Sequence, residues 1–253
     1  IGVRCDVTKF EDCQAAQKAV TGAFPGTPVS FLFNNAGIMG KEGGKILSGS
    51  HESWAPIFNV NVFGAMHVVK AFLPGMIEAG PLPSGKRTFV VTTSSVAGLL
   101  NHSPGPYSLS KMAATAMCEQ LSHELEDMGS TAAHISSHSL HPTVAGTGFL
   151  EGRDADGSKH IPKELKEFML KKGISTAENI VDGLFSGLDE GKAYIIVDHE
   201  LDIPTSKQIA QRMEDQMTGR RPRKPEQLGF VMLMAGDREG FKGRMKMAQQ
   251  SRL

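Results

Sequence analysis

The sequence predicts an α/β domain with a parallel sheet and crossover helices. Short apolar, strand-like runs alternate along the chain with longer stretches of helical spacing. The 253 residues, 40% hydrophobic and 21% charged, suit one such domain and can bury a core. The run at 29–33 is continuously apolar rather than alternating, as expected of a strand covered on both faces.

Taken in order, residues 1–5 read as a short strand. Thr8 and Glu11 then form a capping-box pattern, with Phe10, Cys13, Val20 and Phe24 on one helical face. The second strand at 29–33 leads into a glycine-rich loop at 40–44 and a long helix over about 52–76. A third strand is expected at 88–92, a helix at 106–125 and a strand at 133–140. The last of these is too polar for a buried parallel strand, carrying His134, Ser136, Ser137, His138 and Ser139. His134 and His138 would share one face of it, but no nearby carboxylate or cysteine completes a metal site, and packed histidines are expected. Ser175 and Glu178 form a second capping box before a helix using Val181, Leu184 and Leu188. A strand at 193–197 and a helix at 206–217, burying Ile209, Met213 and Met217, close the regular part.

Charge and composition narrow the function. Lys+Arg and Asp+Glu balance at 27 each, yet residues 219–253 hold nine basic residues against three acids, so a basic end follows an acidic body. That divides the chain into a domain over 1–219 and a basic extension over 220–253. The extension has only Phe230 and Phe241 as aromatics, and no nucleic-acid partner is expected. No apolar run approaches the ~20 residues of a spanning helix, and no membrane partner is expected. Cys5, Cys13 and Cys118 have no metal-ligand spacing and read as buried thiols in a reducing compartment, with no metal. No basic-then-apolar leader precedes Cys5, which gives a cytoplasmic expectation. Ser251, Arg252 and Leu253 are a conservative variant of the peroxisomal address, an import signal in a eukaryote.

The chemical signal centres on Ser94, Ser95 and Gly98, after the third strand, with Tyr107 twelve residues beyond Ser95 and Lys111 a further four. Tyr107 and Lys111 at i, i+4 share a helical face. An ammonium beside a phenol favours the phenolate, which lowers the tyrosine pKa and suits proton transfer near neutral pH.

These residues make the sequence resemble the short-chain dehydrogenase/reductase family. The elements Asn34-Asn35-Ala36-Gly37, Cys5-Asp6-Val7-Thr8, Trp54 with Asn59 to Gly64, and Pro142 to Thr147 fall in the family's order. The resemblance spans about 1–220. It implies a Rossmann-like doubly wound parallel sheet, and hydride transfer between a nicotinamide cofactor, NAD or NADP, and a small carbonyl or alcohol substrate. Carried over residue by residue, it implies that Tyr107 is the general acid/base and Lys111 holds the ribose. Ser95 would polarise the carbonyl, with Ser94 as runner-up, and Asn61 would extend the proton relay. Asp6, Val7, Asn35, Ala36, Gly37, Tyr107, Lys111, Pro142, Val144 and Thr147 would contact the cofactor. A threonine, Thr143, stands where the family has glycine. The resemblance also implies a homodimer or homotetramer through the helices at 52–76 and 106–125.

One family element is missing. No Thr-Gly-x-x-x-Gly-x-Gly turn for the pyrophosphate occurs after a first strand, and the chain starts at the family's third strand. A longer protein encoding the missing strand–helix–strand is expected, so the domain reads as N-terminally truncated. The alternative is a non-catalytic relative that keeps the motifs and serves as a binding or scaffold protein. Residues 148–174 occupy the place of the substrate lid. Phe149, Leu150, Leu165, Phe168 and Met169 read there either as pocket wall or as core packing.

Overall fold

The computed structural model describes residues 1–39, 46–101, 105–143, 176–198 and 205–222. Val144, Thr147, the loop at 40–44, Ser175, the segment 148–174 and the tail from 223 lie outside the described residues. Four strands form one parallel sheet in sequence order: β1 (Phe31–Asn34), β2 (Thr88–Thr93), β3 (Ile135–Pro142) and β4 (Tyr194–Val197). Each crossover steps the same way, which is one wing of a Rossmann-like α/β sheet. Helices α1 (Phe10–Ala23), α2 (His51–Phe58), α3 (Ala65–Glu78), α4 (Pro106–Asp127), α5 (Ala177–Asp189) and α6 (Thr205–Met217) accompany it.

The two faces of the sheet carry separate cores. Val90, Leu32 and Ile135 meet Met76 of α3 and Leu121 and Leu125 of α4 on one side. Val91, Leu140 and Ile195 meet Leu184 and Leu188 of α5 on the other. The central strands β2 and β3 are thus covered on both faces, whereas β1, expected to be covered likewise, leaves Phe33 40% exposed because it is the edge strand of the described sheet.

Several local expectations are corrected. Residues 1–5 pair with no strand, because β1 has β2 as its only neighbour among the described residues. Thr8 does not cap α1: its hydroxyl and backbone N–H both donate to Asp6 Oδ1, at 2.7 and 3.1 Å, and Lys9 becomes the N-cap. The cap of α5 moves by one residue, from Ser175 and Glu178 to Thr176 with Asn179. In α6 the buried residues are Thr205, Gln208 and Asp215, while Met213 and Met217 are exposed. Polar anchoring explains the reversal, since Thr205 N donates to Asp198 at 3.1 Å and Arg212 donates to the Leu99 carbonyl.

The helix expected at 52–76 runs unbroken from His51 to Glu78. Asn59–Gly64 between α2 and α3 is π-helical, a widening that is frequent at functional sites. Contrary to the sequence reading, this 28-residue helix is long and apolar enough to cross a membrane by length and composition. Its inner positions Ile57, Asn61, Ala65 and Met76 are buried in this fold.

The polar strand β3 is also a correction, since it lies fully inside the sheet. Each polar side chain there finds a partner. Ser137 donates to the Cys118 carbonyl at 3.0 Å, and His138 Nδ1 meets the Lys192 carbonyl at 2.8 Å. His141 meets the Ser95 carbonyl at 2.9 Å. His134 precedes the strand and turns to the Met76 carbonyl of α3, whereas His138 packs on Phe89 of the opposite face. The two rings therefore do not share a face.

Two outcomes follow from this packing. A Cβ on Gly98 would stand 2.2 Å from Ser94 Oγ and 2.8 Å from the Lys111 carbonyl. Gly98→Ala should cost about 3 kcal/mol, read as a lowered urea midpoint with unchanged slope. Burial pushes the His141 pKa from 6.5 down to about 4. The unfolded chain takes a proton that the folded chain refuses, so this contribution is complete above pH 6.5 and is lost as the pH falls toward 4. The stability advantage of the native protein over His141→Asn should shrink by about 3 kcal/mol across that window in paired urea titrations.

Candidate active site

The site forms where the carboxyl end of β2 meets the start of α4. Ser95 leaves the strand in extended geometry (φ −176°, ψ 164°) and caps a single 3₁₀ turn, Val96–Gly98, accepting from Ala97 N at 3.2 Å. Its side chain is hydrogen-bonded to Tyr107. Ser94 points elsewhere. It is buried, donates to the Lys111 carbonyl at 2.9 Å and pairs with Thr115 Oγ1 at 2.8 Å. The structure therefore brings Ser95, not Ser94, to the phenol.

Helix α4 starts with Pro106 behind Gly105, whose φ of 75° suits a residue without Cβ. Lys111 lies one turn after Tyr107, with Nζ 5.9 Å from the ring centroid. The lysine is only 3% exposed, and Nζ donates to the Thr93 carbonyl at 2.8 Å. Desolvation governs both groups. It pushes the Tyr107 pKa up to about 12, against the pull of the Ser95 hydrogen bond, and draws Lys111 down to about 8. This corrects the expected depression of the Tyr107 pKa: burial outweighs the Ser95 hydrogen bond, and the phenol keeps its proton at neutral pH.

Asn61 sits in the π-helical segment and is 2% exposed. Its Oδ1 accepts from Ile38 N at 2.8 Å, and its Nδ2 donates to the Ile38 carbonyl at 2.9 Å and to Ser110 Oγ at 3.0 Å. Ser110 in turn donates to the Tyr107 carbonyl at 2.8 Å. Asn61 thus ties the loop after β1 to the helix that carries Tyr107. That loop holds Asn35, Ala36 and Gly37. Asn35 Oδ1 accepts from Thr93 Oγ1 at 2.8 Å. A Cβ on Gly37 would stand 3.3 Å from Lys111 Nζ and 3.4 Å from Asn61 Oδ1, so the loop backbone lies directly against both.

Asp6 and Val7 join a different part of the structure. Val7 fits against Gly64, where an added Cβ would meet it at 2.7 Å, and its carbonyl meets His67 Nδ1 at 2.9 Å. Asp6 is held below the usual carboxylate pKa, first by the Thr8 hydroxyl. Pro142 ends β3 directly after the fully buried His141. The next residue, Thr143, is buried with no partner for its hydroxyl.

The sequence reading named Asn61, Ser95, Tyr107 and Lys111 but missed the groups that hold them. Ser110 was visible as a hydroxyl three residues after Tyr107, on the Asn61 side. Thr93 was visible only as a polar residue closing an apolar strand, and His141 only as one more polar residue of the polar strand β3.

A nicotinamide dinucleotide can be tested against this geometry. The Gly37 cradle beside Lys111 and the unpartnered hydroxyl of Thr143, both at the carboxyl ends of the strands, fit the nicotinamide–ribose end of such a cofactor.

The short chain dehydrogenase profile matches residues 1–156. The short chain dehydrogenase pigC of Monascus ruber is 31% identical over 152 residues, 60% of this chain and 46% of that protein. The inactive 2-(S)-hydroxypropyl-CoM dehydrogenase 2 of Xanthobacter autotrophicus is 34% identical over 156 residues, 61% of this chain and 63% of that protein. The chain thus spans between about half and three fifths of these curated relatives. A short-chain dehydrogenase/reductase from Burkholderia phymatum, solved with NAD, superposes with a TM-score of 0.71 at 29% identity, over 90% of this chain and 80% of that one. The chain belongs to the short-chain dehydrogenase family.

Proposed function

We propose that this chain carries the acid/base site of an oxidoreductase that interconverts a carbonyl and an alcohol with NAD or NADP. The observation that carries the reading is the Ser95–Tyr107 hydrogen bond beside a buried Lys111. Bound at this site, the nicotinamide would supply or take up hydride.

The residues divide the remaining work. Tyr107 keeps its proton at neutral pH because burial holds its pKa near 12, so it is loaded as the acid for carbonyl reduction. Ser95 adds a second hydroxyl to the same substrate oxygen and steadies the charge that develops there. In the oxidative direction the proton returns to Tyr107. Lys111 remains largely protonated at pH 7 with a pKa near 8, and its ammonium stabilises the phenolate left after proton donation. Gly37, Lys111, Asn35 and Thr143 would hold the nicotinamide–ribose end, while Asp6 and Val7 would take the adenine. Asn61 holds the loop at Ile38 against α4 and keeps the cradle in register with Tyr107.

The apolar surface of the long helix supports assembly with a second copy. Phe63 and Met66, one turn apart on this helix, are 49% and 36% exposed. Neighbouring apolar side chains exposed on a helix face can contribute to an interaction surface.

Two measurements test the reading. Tyr107→Phe should lower kcat by at least about a thousandfold while the NADH or NADPH dissociation constant stays within about threefold; retained turnover would sink the mechanism. Phe63→Asp should shift the protein from dimer or tetramer to monomer in sedimentation velocity, and an unchanged distribution would remove this helix from the interface.

A further inference from the structure

Ser95 is fixed from two directions. Its carbonyl accepts from Gly98 N at 2.8 Å, closing the 3₁₀ turn, and is also met by His141 Nδ1 at 2.9 Å. The first contact is local. The second comes from β3, where Ser94 N is also tied to the Leu140 carbonyl at 2.8 Å. A carbonyl can only accept, so Nδ1 must carry a proton. The ring's other nitrogen, Nε2, lies 2.8 Å from Ser139 Oγ. With Nδ1 protonated and the ring neutral, Nε2 accepts from the Ser139 hydroxyl, and every polar atom of the ring is satisfied.

The surroundings favour that single state. His141 is fully buried and stacks on Tyr194, with centroids 6.2 Å apart and planes at 30°. Tyr194 is itself tied to Glu119 of α4 at 2.8 Å. Burial lowers the ring's pKa to about 4 against the pull of the Ser95 carbonyl, and the Lys111 charge adds to the lowering. A second cation beside Lys111 is thereby avoided at neutral pH.

We infer that His141 is a positioning residue for Ser95: its neutral Nδ1–H tautomer holds the Ser95 carbonyl and so aims the Ser95 hydroxyl at the oxygen shared with Tyr107. The inference rests on the oxidoreductase reading of the site. The two hydrogen bonds on the Ser95 carbonyl fill both of its lone pairs, one set by the turn and one by the sheet. Without the second, the Ser95 peptide keeps its turn but can rotate against β3, and a hydroxyl displaced by ~1 Å can cost about a hundredfold in rate.

The test uses three variants and one spectrum. His141→Leu should lower kcat roughly tenfold to a hundredfold, with the NADH or NADPH dissociation constant unchanged. His141→Asn places an amide N–H near the position of Nδ1 and should restore the rate to within about threefold of wild type. Wild-type kcat in His141→Leu, or an Asn variant as slow as the Leu variant, would overturn the assignment. Ser139→Ala removes the hydroxyl behind the ring, along with its longer contact to the Ala193 carbonyl, and should give a smaller loss of kcat, which covers a Leu variant that fails to fold. Two-bond ¹H–¹⁵N correlation spectra of the wild-type protein should show the Nδ1–H tautomer of His141 at pH 7, and an Nε2–H tautomer would overturn it independently of any activity. Turnover retained in Tyr107→Phe would instead defeat the oxidoreductase reading, and leaves the tautomer result standing on its own.

Discussion

A buried ammonium organises this structure. Lys111 is almost entirely withdrawn from solvent, and a charge in that position persists only where partners replace its water. The Thr93 carbonyl, freed where β2 ends, is one such partner at 2.8 Å. The backbone carbonyl of Lys111 itself accepts from the Ser94 hydroxyl, next to the hydroxyl of Thr115. Both ends of one lysine therefore clamp the first turns of α4 to the end of β2. Gly98 is required beside that clamp because no side chain fits between Ser94 and the Lys111 carbonyl. With the clamp in place, Tyr107 has one position relative to Ser95.

Around that clamp lies a polar layer that is unusual for the middle of a parallel sheet. Asn61, Ser110, Ser137, His138, Ser139 and His141 are all drawn into hydrogen bonds to backbone carbonyls or to one another. Buried polar groups are costly unless satisfied, and here the partners come from different elements. The loop after β1, the π-helical segment, α4 and β3 are consequently held in one register. Burial keeps His141 neutral and Tyr107 protonated, so the charge in this layer is concentrated on Lys111. The π-helical stretch supports the arrangement by offering Asn61 to Ile38 and Ser110 at once.

Much of this was legible in the sequence, for identifiable reasons. The short apolar runs at 29–33 and 88–92 were readable as strands, and the spacing from Ser95 to Tyr107 and Lys111 already pointed to a candidate site. The polar strand β3 misled, because composition reports the cost of burying serine and histidine but not the carbonyls waiting for them. The Tyr107 pKa misled in the opposite sense: proximity of Lys111 was readable from i, i+4 spacing, whereas the burial that raises the phenol's pKa was not. Helix α6 inverted for a similar reason, since the Leu99 carbonyl that anchors Arg212 lies 113 residues away in sequence. His141 went unnoticed because its partner, a backbone carbonyl 46 residues away, leaves no mark in residue type.

The Gly37 cradle beside Lys111 would accept the nicotinamide end of a dinucleotide. Titration of the 253-residue chain with NADH and with NADPH, followed by the fluorescence of the reduced nicotinamide, tests it most directly. Saturable binding of at least one of the two is predicted. No binding of either at millimolar concentration would contradict the account and favour a non-catalytic relative that keeps the site residues without the cofactor.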